Sequence, residues 1–441
     1  MRPQPIEFFD PCAIHARALK NAGYAFPLLG QSLPRSRFFV VVILLLFFSS
    51  CAYPPATPRE IVPTVTRIPK IPSPLPCTSF SIAPTPGPDA PSLIPPITAQ
   101  DHIRGQENAG ITLLFYGDLQ DTTSGLFANV ASRLLAEHPQ DVRLVSRVFP
   151  LLGRNDKALL AAQAVEAANL QGRFWEMHDL LYAQQANWTT MSVEDFEQWS
   201  AAQASALGMD VLQYQADVKG EAVRDLVQRN FETAQKFGPF AVPLIVINGE
   251  IYIGPQDFTS MNDIVMLTLL GKRHFATCPP FFVDESKQYI ATLHTEKGDV
   301  TLELFADKTP FTVNSFVFLA RSGWYDDITF HRVIPELYAQ TGDPSGTGRG
   351  TPGYYVITEI LTELTFDAPG MVAMVNSGPD TSGSQFFITL ASTPQFDGRY
   401  TIFGRVLTGM DVLKALSPRD PRPGEELPPG DRLLSVKIEE K

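Results

Sequence analysis

Four cysteines are spread over 441 residues, at positions 12, 51, 77 and 278, and none stands at the short spacing of a zinc site or a redox-active pair. Long hydrophobic runs are equally scarce. Phe38 to Phe48 spans eleven apolar residues, too few for the roughly 20 that a helix needs to cross a bilayer, so a multi-span membrane protein is excluded. Positive charge is in short supply as well: 35 Lys and Arg against 47 Asp and Glu give −12 at pH 7 and a pI near 5.1. That balance argues against nucleic acid as a partner. Charged residues make up only 19% and apolar ones 44%, which leaves ample core material and rules out wholesale disorder. The length calls for two or three domains rather than one. No metal or cofactor is expected.

The apolar run follows Arg35 and Arg37 and ends in Ser49-Ser50-Cys51, as in the h-region of a signal peptide, so residues 1–50 read as a leader. Small residues before a cysteine resemble a bacterial lipobox, which implies lipidation of Cys51, although Phe48 stands where Leu is usual. The alternative is an uncleaved anchor. Either one holds the rest of the chain at a membrane, outside the cytoplasm. Without its leader the chain carries −15. Prolines, 38 in all, crowd between Ala52 and Ile97, where 14 fall in 46 residues. Proline at this density supplies few amide donors and favours extended polyproline II, so residues 51–100 read as a semi-rigid tether.

Residues 101–278 show an α/β pattern. Ile111 to Tyr116 and Val142 to Phe149 are apolar strand runs flanking a helical stretch, Leu126 to Glu137, which predicts a parallel pair. Ala158 to Leu170 and Phe174 to Gln185 are amphipathic helices. Val242 to Ile253 reads as a hairpin turning at Asn248-Gly249. With Phe149-Pro150-Leu151, the run Gly172 to Leu181 and Val242-Pro243, the segment resembles the thioredoxin superfamily, and within it the DsbA-like oxidoreductases with a helical insertion. The resemblance implies a cis peptide at Pro243 beside the active site. It also implies a Cys-x-x-Cys where this chain has Asp121-Thr122-Thr123-Ser124. Oxygen side chains cannot exchange disulfides. Asp121 reads instead as a helix N-cap, so the fold persists without redox activity. The apolar groove beside Pro243 either keeps a hold on extended peptide or leaves the domain a spacer.

Cys77 precedes this domain and Cys278 follows it. In an oxidising compartment that placement predicts a structural disulfide clamping the two ends of the domain.

Residues 285–441 begin with strands Tyr289 to Thr295 and Asp299 to Leu304 around Lys297-Gly298. A helix, Thr309 to Ser322, follows, and then many short strands between glycine-rich turns. Phe330-His331-Arg332-Val333-Ile334-Pro335, Gln340 to Gly348, Gly370 to Met374, Ser377-Gly378-Pro379, Ser382 to Thr389 and Phe396 to Val406 stand in the order found in cyclophilins, which this domain closely resembles. The resemblance implies a closed eight-stranded β-barrel capped by two helices, and peptidyl-prolyl cis/trans isomerisation. It assigns Arg332 as the catalytic arginine and Gln340 as the residue that orients it. Phe387 becomes the floor of the proline pocket, Leu337, Tyr338 and Phe396 its walls, Gln385 a polar contact, and Asn376 a backbone hold on substrate. Tyr400 stands where His or Tyr is usual. The chain departs from the family at Leu337-Tyr338 (usually Phe-Met), Thr341 (Gly) and Val375 (Ala). Gln395 replaces a tryptophan associated with cyclosporin binding, so reduced drug sensitivity is expected.

The expectation is therefore a cell-envelope isomerase acting on proline-containing unfolded or nascent exported polypeptides, carrying a redox-inactive thioredoxin-like domain. A non-catalytic envelope chaperone or scaffold that binds extended polypeptides is the alternative. A thiol oxidoreductase lacks its cysteines.

Overall fold

The computed structural model describes residues 76–80, 94–236 and 241–441. The leader, Cys12, Cys51 and most of the proline-rich stretch lie outside them. A short strand, β1 (Cys77–Ser79), comes first. Five more follow: β2 (His102–Gly105), β3 (Ile111–Gly117), β4 (Val142–Val148), β5 (Leu244–Ile247) and β6 (Glu250–Tyr252). The last ten are β7 (Tyr289–Thr295), β8 (Gly298–Leu304), β9 (Ile328–Thr329), β10 (Arg332–Ile334), β11 (Tyr338–Thr341), β12 (Tyr354–Val356), β13 (Met371–Met374), β14 (Phe386–Thr389), β15 (Ile402–Thr408) and β16 (Arg432–Glu440).

The run Ile111–Gly117 is apolar at nearly every position because it is buried on both faces as the middle strand of a sheet ordered β2-β4-β3-β5-β6. Its parallel neighbour β4 is reached through the helix Thr122–Glu137, and β5 lies antiparallel on its other side. Asn248 and Gly249 both have positive φ, the requirement of a tight hairpin turn between β5 and β6. Between β4 and β5 the chain inserts helices Ala158–Asn169, Phe174–Ala183, Gln185–Trp188, Val193–Ala206, Val211–Lys219 and Glu221–Gln235. Alanines 161, 164, 167 and 168 are buried, so neighbouring helices approach the first of these closely, while Trp188, Phe196 and Tyr214 fill the space between. The helix Phe258–Gly271, capped by Asp257 through the Ser260 amide, ends this domain. Among the described residues no helix is long and apolar enough to cross a membrane.

The C-terminal strands form a nine-stranded sheet in the order β10-β11-β14-β13-β15-β8-β7-β16-β9, curled around Phe316, Tyr325, Phe330, Phe386 and Phe403. Helices Pro310–Arg321 and Met410–Lys414 accompany it. In place of the eight strands expected, nine pair in one ladder, curled as a half-barrel. Its end strands β9 and β10 are neighbours in the chain, but the outer edge of β10 bonds elsewhere: the Val333 amide donates to the Arg419 carbonyl and the Arg419 amide to the Val333 carbonyl.

The stretch read as a tether is not all spacer. β1 pairs antiparallel with β12, Cys77 opposite Val356, and Ile94 is buried against Tyr116 and Val145. The edge of β12 supplies backbone partners that the Cys-Thr-Ser triplet, free of proline, can use. Cys77 and Cys278 are disulfide-bonded with Cα atoms 6.1 Å apart. The bridge joins the chain on either side of the first domain, as expected, and also fastens β1 and the interdomain linker to the C-terminal domain, since Cys77 and Phe275 both pack on the C-terminal core.

Candidate active site

Strand alternation divides the residues of β10, β11, β13 and β14 into two sets. Val333, Ala339, Ile388, Val372 and Phe386 face the main core. The other set forms one row across the sheet, because Arg332 is opposite Gln340, Gln340 opposite Phe387, Phe387 opposite Ala373, and Ala373 opposite Ile402. Register alone brings a cation, an amide and an aromatic ring from three separate stretches of sequence onto one outer face.

Phe387 is the centre of a second, smaller apolar cluster. Its ring lies 5.5 Å from Tyr338, 5.7 Å from Phe396 and 5.2 Å from Tyr400 between centroids, the last two edge-on. Leu337 packs at the rim. Sequence reading missed Phe366, which is fully buried and stacks behind Phe387 at 5.8 Å. Its only sequence signal is a lone aromatic in the loop-like stretch before Gly370. Ala373 and Ile402 complete the cluster, small and aliphatic where rings crowd.

The polar half differs from expectation in one bond. Gln340 does not bond the arginine: its Nε2 donates to Gln385 Oε1 at 2.9 Å, and Gln385 Nε2 donates to the Gly350 carbonyl at 3.0 Å. Arg332 is instead held by Asp420, to which its Nε donates at 2.8 Å, with the guanidinium carbon 5.8 Å from the Tyr338 ring centre. Asp420 was invisible beforehand because it lies 88 positions away in a proline-rich turn. Asn376 donates from Nδ2 to the Arg399 carbonyl at 3.0 Å and accepts from the Gly378 amide at 3.2 Å, so its turn is tied to the loop carrying Tyr400.

His331, directly before Arg332, is buried, and burial lowers its pKa to about 4. Asp343 opposes that shift, whereas Arg419 and Arg332 reinforce it. The ring is neutral at neutral pH and points away from any acid–base role. In the unfolded chain a histidine takes up its proton near pH 6.5. Protons then favour the unfolded state as pH falls from 6.5 to about 4, and stability on the order of 3 kcal/mol is expected to disappear across that window. Denaturant midpoints measured from pH 7 to pH 4 check this, and His331→Leu is expected to flatten that part of the profile.

In the first domain Asp121 caps the helix Thr122–Glu137, accepting from the Ser124 amide at 2.7 Å. Ser124 Oγ also donates to Asp121, at 3.0 Å. The Val242-Pro243 peptide is cis, and Thr123 Oγ1 lies 3.4 Å from the Val242 carbonyl oxygen. The two halves of the thioredoxin-type site are thus side by side, with a carboxylate and hydroxyls where thiols would react. No group of three or more His, Cys, Asp and Glu able to hold a metal occurs among the described residues.

An aromatic cluster on the outer face thus lies beside a positioned arginine on a curled antiparallel sheet. Residues 290–438 match the family model described as cyclophilin type peptidyl-prolyl cis-trans isomerase, and residues 98–266 match a thioredoxin model. A peptidyl-prolyl cis-trans isomerase-like protein of Emericella nidulans is 42% identical over 156 residues, 34% of this chain and 94% of that protein. A peptidyl-prolyl cis-trans isomerase of Arabidopsis thaliana is 47% identical over 128 residues, 28% of this chain and 78% of its own, and one of Schizosaccharomyces pombe 46% over 127 residues, 28% and 82%. Through its C-terminal domain the chain belongs to the cyclophilin-type peptidyl-prolyl cis-trans isomerases, joined here to a thioredoxin-like domain. It is a peptidyl-prolyl cis-trans isomerase.

Proposed function

We propose that this isomerase works outside the cytoplasm, held at a membrane through a lipid on Cys51 or an uncleaved leader, and assists folding of exported polypeptides at their prolines. The placement of Arg332, Gln340 and Phe387 in one cross-strand row carries the catalytic part of this reading. The X-Pro bond turns slowly because resonance shares the nitrogen lone pair with the carbonyl, a barrier of about 18–20 kcal/mol. No bond to hydrogen needs to move. A catalyst has only to seat the proline ring, favour a nitrogen that has regained its lone pair, and hold the carbonyl as it swings.

Phe387 is the floor of the seat, with Phe396, Tyr338 and Leu337 around it and Tyr400 at its edge. The Arg332 guanidinium, its Nε anchored by Asp420, directs its remaining N–H groups toward the twisting amide. Gln340 and Gln385 line the polar side, and Asn376 holds extended backbone. Closure of the curled sheet into a full barrel belongs to the same reading, supported by end strands two residues apart in sequence. The thioredoxin-like domain is accessory and performs no thiol chemistry, given Asp121 and Ser124 at the reactive positions. Support for the location comes from the leader pattern and from a disulfide suited to an oxidising compartment.

Two measurements test this. The full chain is expected to accelerate refolding of a cysteine-free protein limited by proline isomerisation, with Cys51→Ser shifting the chain from membrane to soluble fractions. Binding of the unfolded protein with no acceleration favours a scaffold that only holds extended chain.

A further inference from the structure

The loop Gly342–Gly353 ends beside the active site on one side and against the thioredoxin-like domain on the other. From within, Asp343 holds it, accepting from the Ser345 amide at 2.8 Å, Ser345 Oγ at 2.6 Å and the Gly350 amide at 2.9 Å. The Gly350 carbonyl is the acceptor for Gln385 Nε2, and Gln385 in turn receives Gln340. The same glycine also touches the other domain. A Cβ at Gly350 would come within 2.0 Å of Asp343 Oδ1 and 2.6 Å of Leu270 Cδ2, so the carboxylate and that methyl together crowd the glycine. Leu270 comes from the helix Phe258–Gly271 of the thioredoxin-like domain, yet it is buried within the core of the isomerase domain.

Three further contacts fix the loop from that side. Arg349, the residue before Gly350, pairs with Asp263 of the same helix. The Phe275 amide donates to the Pro352 carbonyl at 2.9 Å, and the Phe80 amide to the Gly353 carbonyl at 3.0 Å. The Gly350 carbonyl is therefore not placed by the isomerase domain alone. Gly350 thus touches Leu270, its neighbour Arg349 pairs with Asp263, and its carbonyl accepts from the glutamine that receives Gln340.

We propose that Leu270 and Asp263 are positioning residues for the isomerase site, acting through the Gly350 carbonyl on Gln385 and Gln340, so that the redox-inactive domain tunes isomerisation within the same chain. The inference rests on the site reading given above for Gln340 and Gln385. A domain that has lost its thiols retains a use in this arrangement, as one wall of a loop that carries polar groups to the substrate.

A double-mutant cycle in the full chain separates positioning from general loss of stability. Leu270→Ala is expected to lower kcat by about 3- to 10-fold with little change in KM, at a temperature where circular dichroism shows the variant folded. Leu270→Met is expected to restore kcat, and Asp263→Asn to give a smaller loss in the same direction. Gln385→Ala is expected to lower kcat on its own, and adding Leu270→Ala to it to change nothing further, because the path from Leu270 runs through that side chain. Losses that multiply, a wild-type kcat for Leu270→Ala, or an effect on KM alone would overturn the proposal. Should Leu270→Ala fail to fold, Leu270→Val and Asp263→Asn are carried through the same cycle under the same criteria. A wild-type kcat for Gln385→Ala strikes at the site assignment instead, a distinct result.

Discussion

Arg332→Ala is expected to lower kcat/KM for a proline peptide by about 100- to 1,000-fold, the usual loss when one pre-aimed donor is removed from a transition-state site. The protein stays folded, because Arg332 is partly exposed and its one ion pair, with Asp420, lies at the surface, where such pairs contribute about 0–1 kcal/mol. Phe387 is untouched, so peptide still binds and the loss falls on kcat. Arg332→Lys is expected to recover little: an ammonium keeps the charge but cannot bond Asp420 and face the amide with a rigid fork. Asp420→Asn frees the guanidinium without removing it, and a loss of about tenfold is expected. A protease-coupled assay on a proline tetrapeptide measures all three, and near wild-type turnover by Arg332→Ala would remove this residue from the mechanism.

Removing the disulfide is expected to have the largest effect on stability. Cys77 and Cys278 are 201 positions apart, and closing so long a loop in the unfolded chain is worth about 5 kcal/mol in the chain-entropy model. The bond also keeps β1 on the edge of β12, a three-residue pairing too short to persist unaided. Cys77→Ser with Cys278→Ser, or reduction of the wild type, is expected to lower the denaturant midpoint and leave kcat/KM at low denaturant close to its starting value. Two thiols that titrate freely in the unreduced chain would contradict the bridge.

Periodicity served well where burial follows local pattern. The strand Tyr289–Thr295 and the helix Pro310–Arg321 lie where alternation and a 3.6-residue repeat put them, and the hairpin at Asn248-Gly249 turns as its dipeptide requires. The helices between Val193 and Gln235 were named only through the family resemblance. Their polar faces are broad and few residues of each are buried, so they carry a weak core signal. β1 was missed because proline density masked three residues that find their partner almost 280 positions later. At the site, Arg332, Gln340 and Phe387 were legible as motif, and strand register explains why they meet. Asp420 and Phe366 were not legible, since each reaches the site from a loop with no periodicity. Nor did sequence reveal that Gln340 turns to Gln385 rather than to the arginine, or that Gln385 in turn donates to the Gly350 carbonyl.

The disulfide also decides how the chain carries mechanical load. A pull applied upstream of Cys77 passes through its sulfur to Cys278 and enters the isomerase domain there, so the residues between the two cysteines lie in a shunted loop outside the line of force. Stretching the oxidised chain from its two ends therefore extends the isomerase domain but not the thioredoxin-like one, whose contour length is released only after reduction.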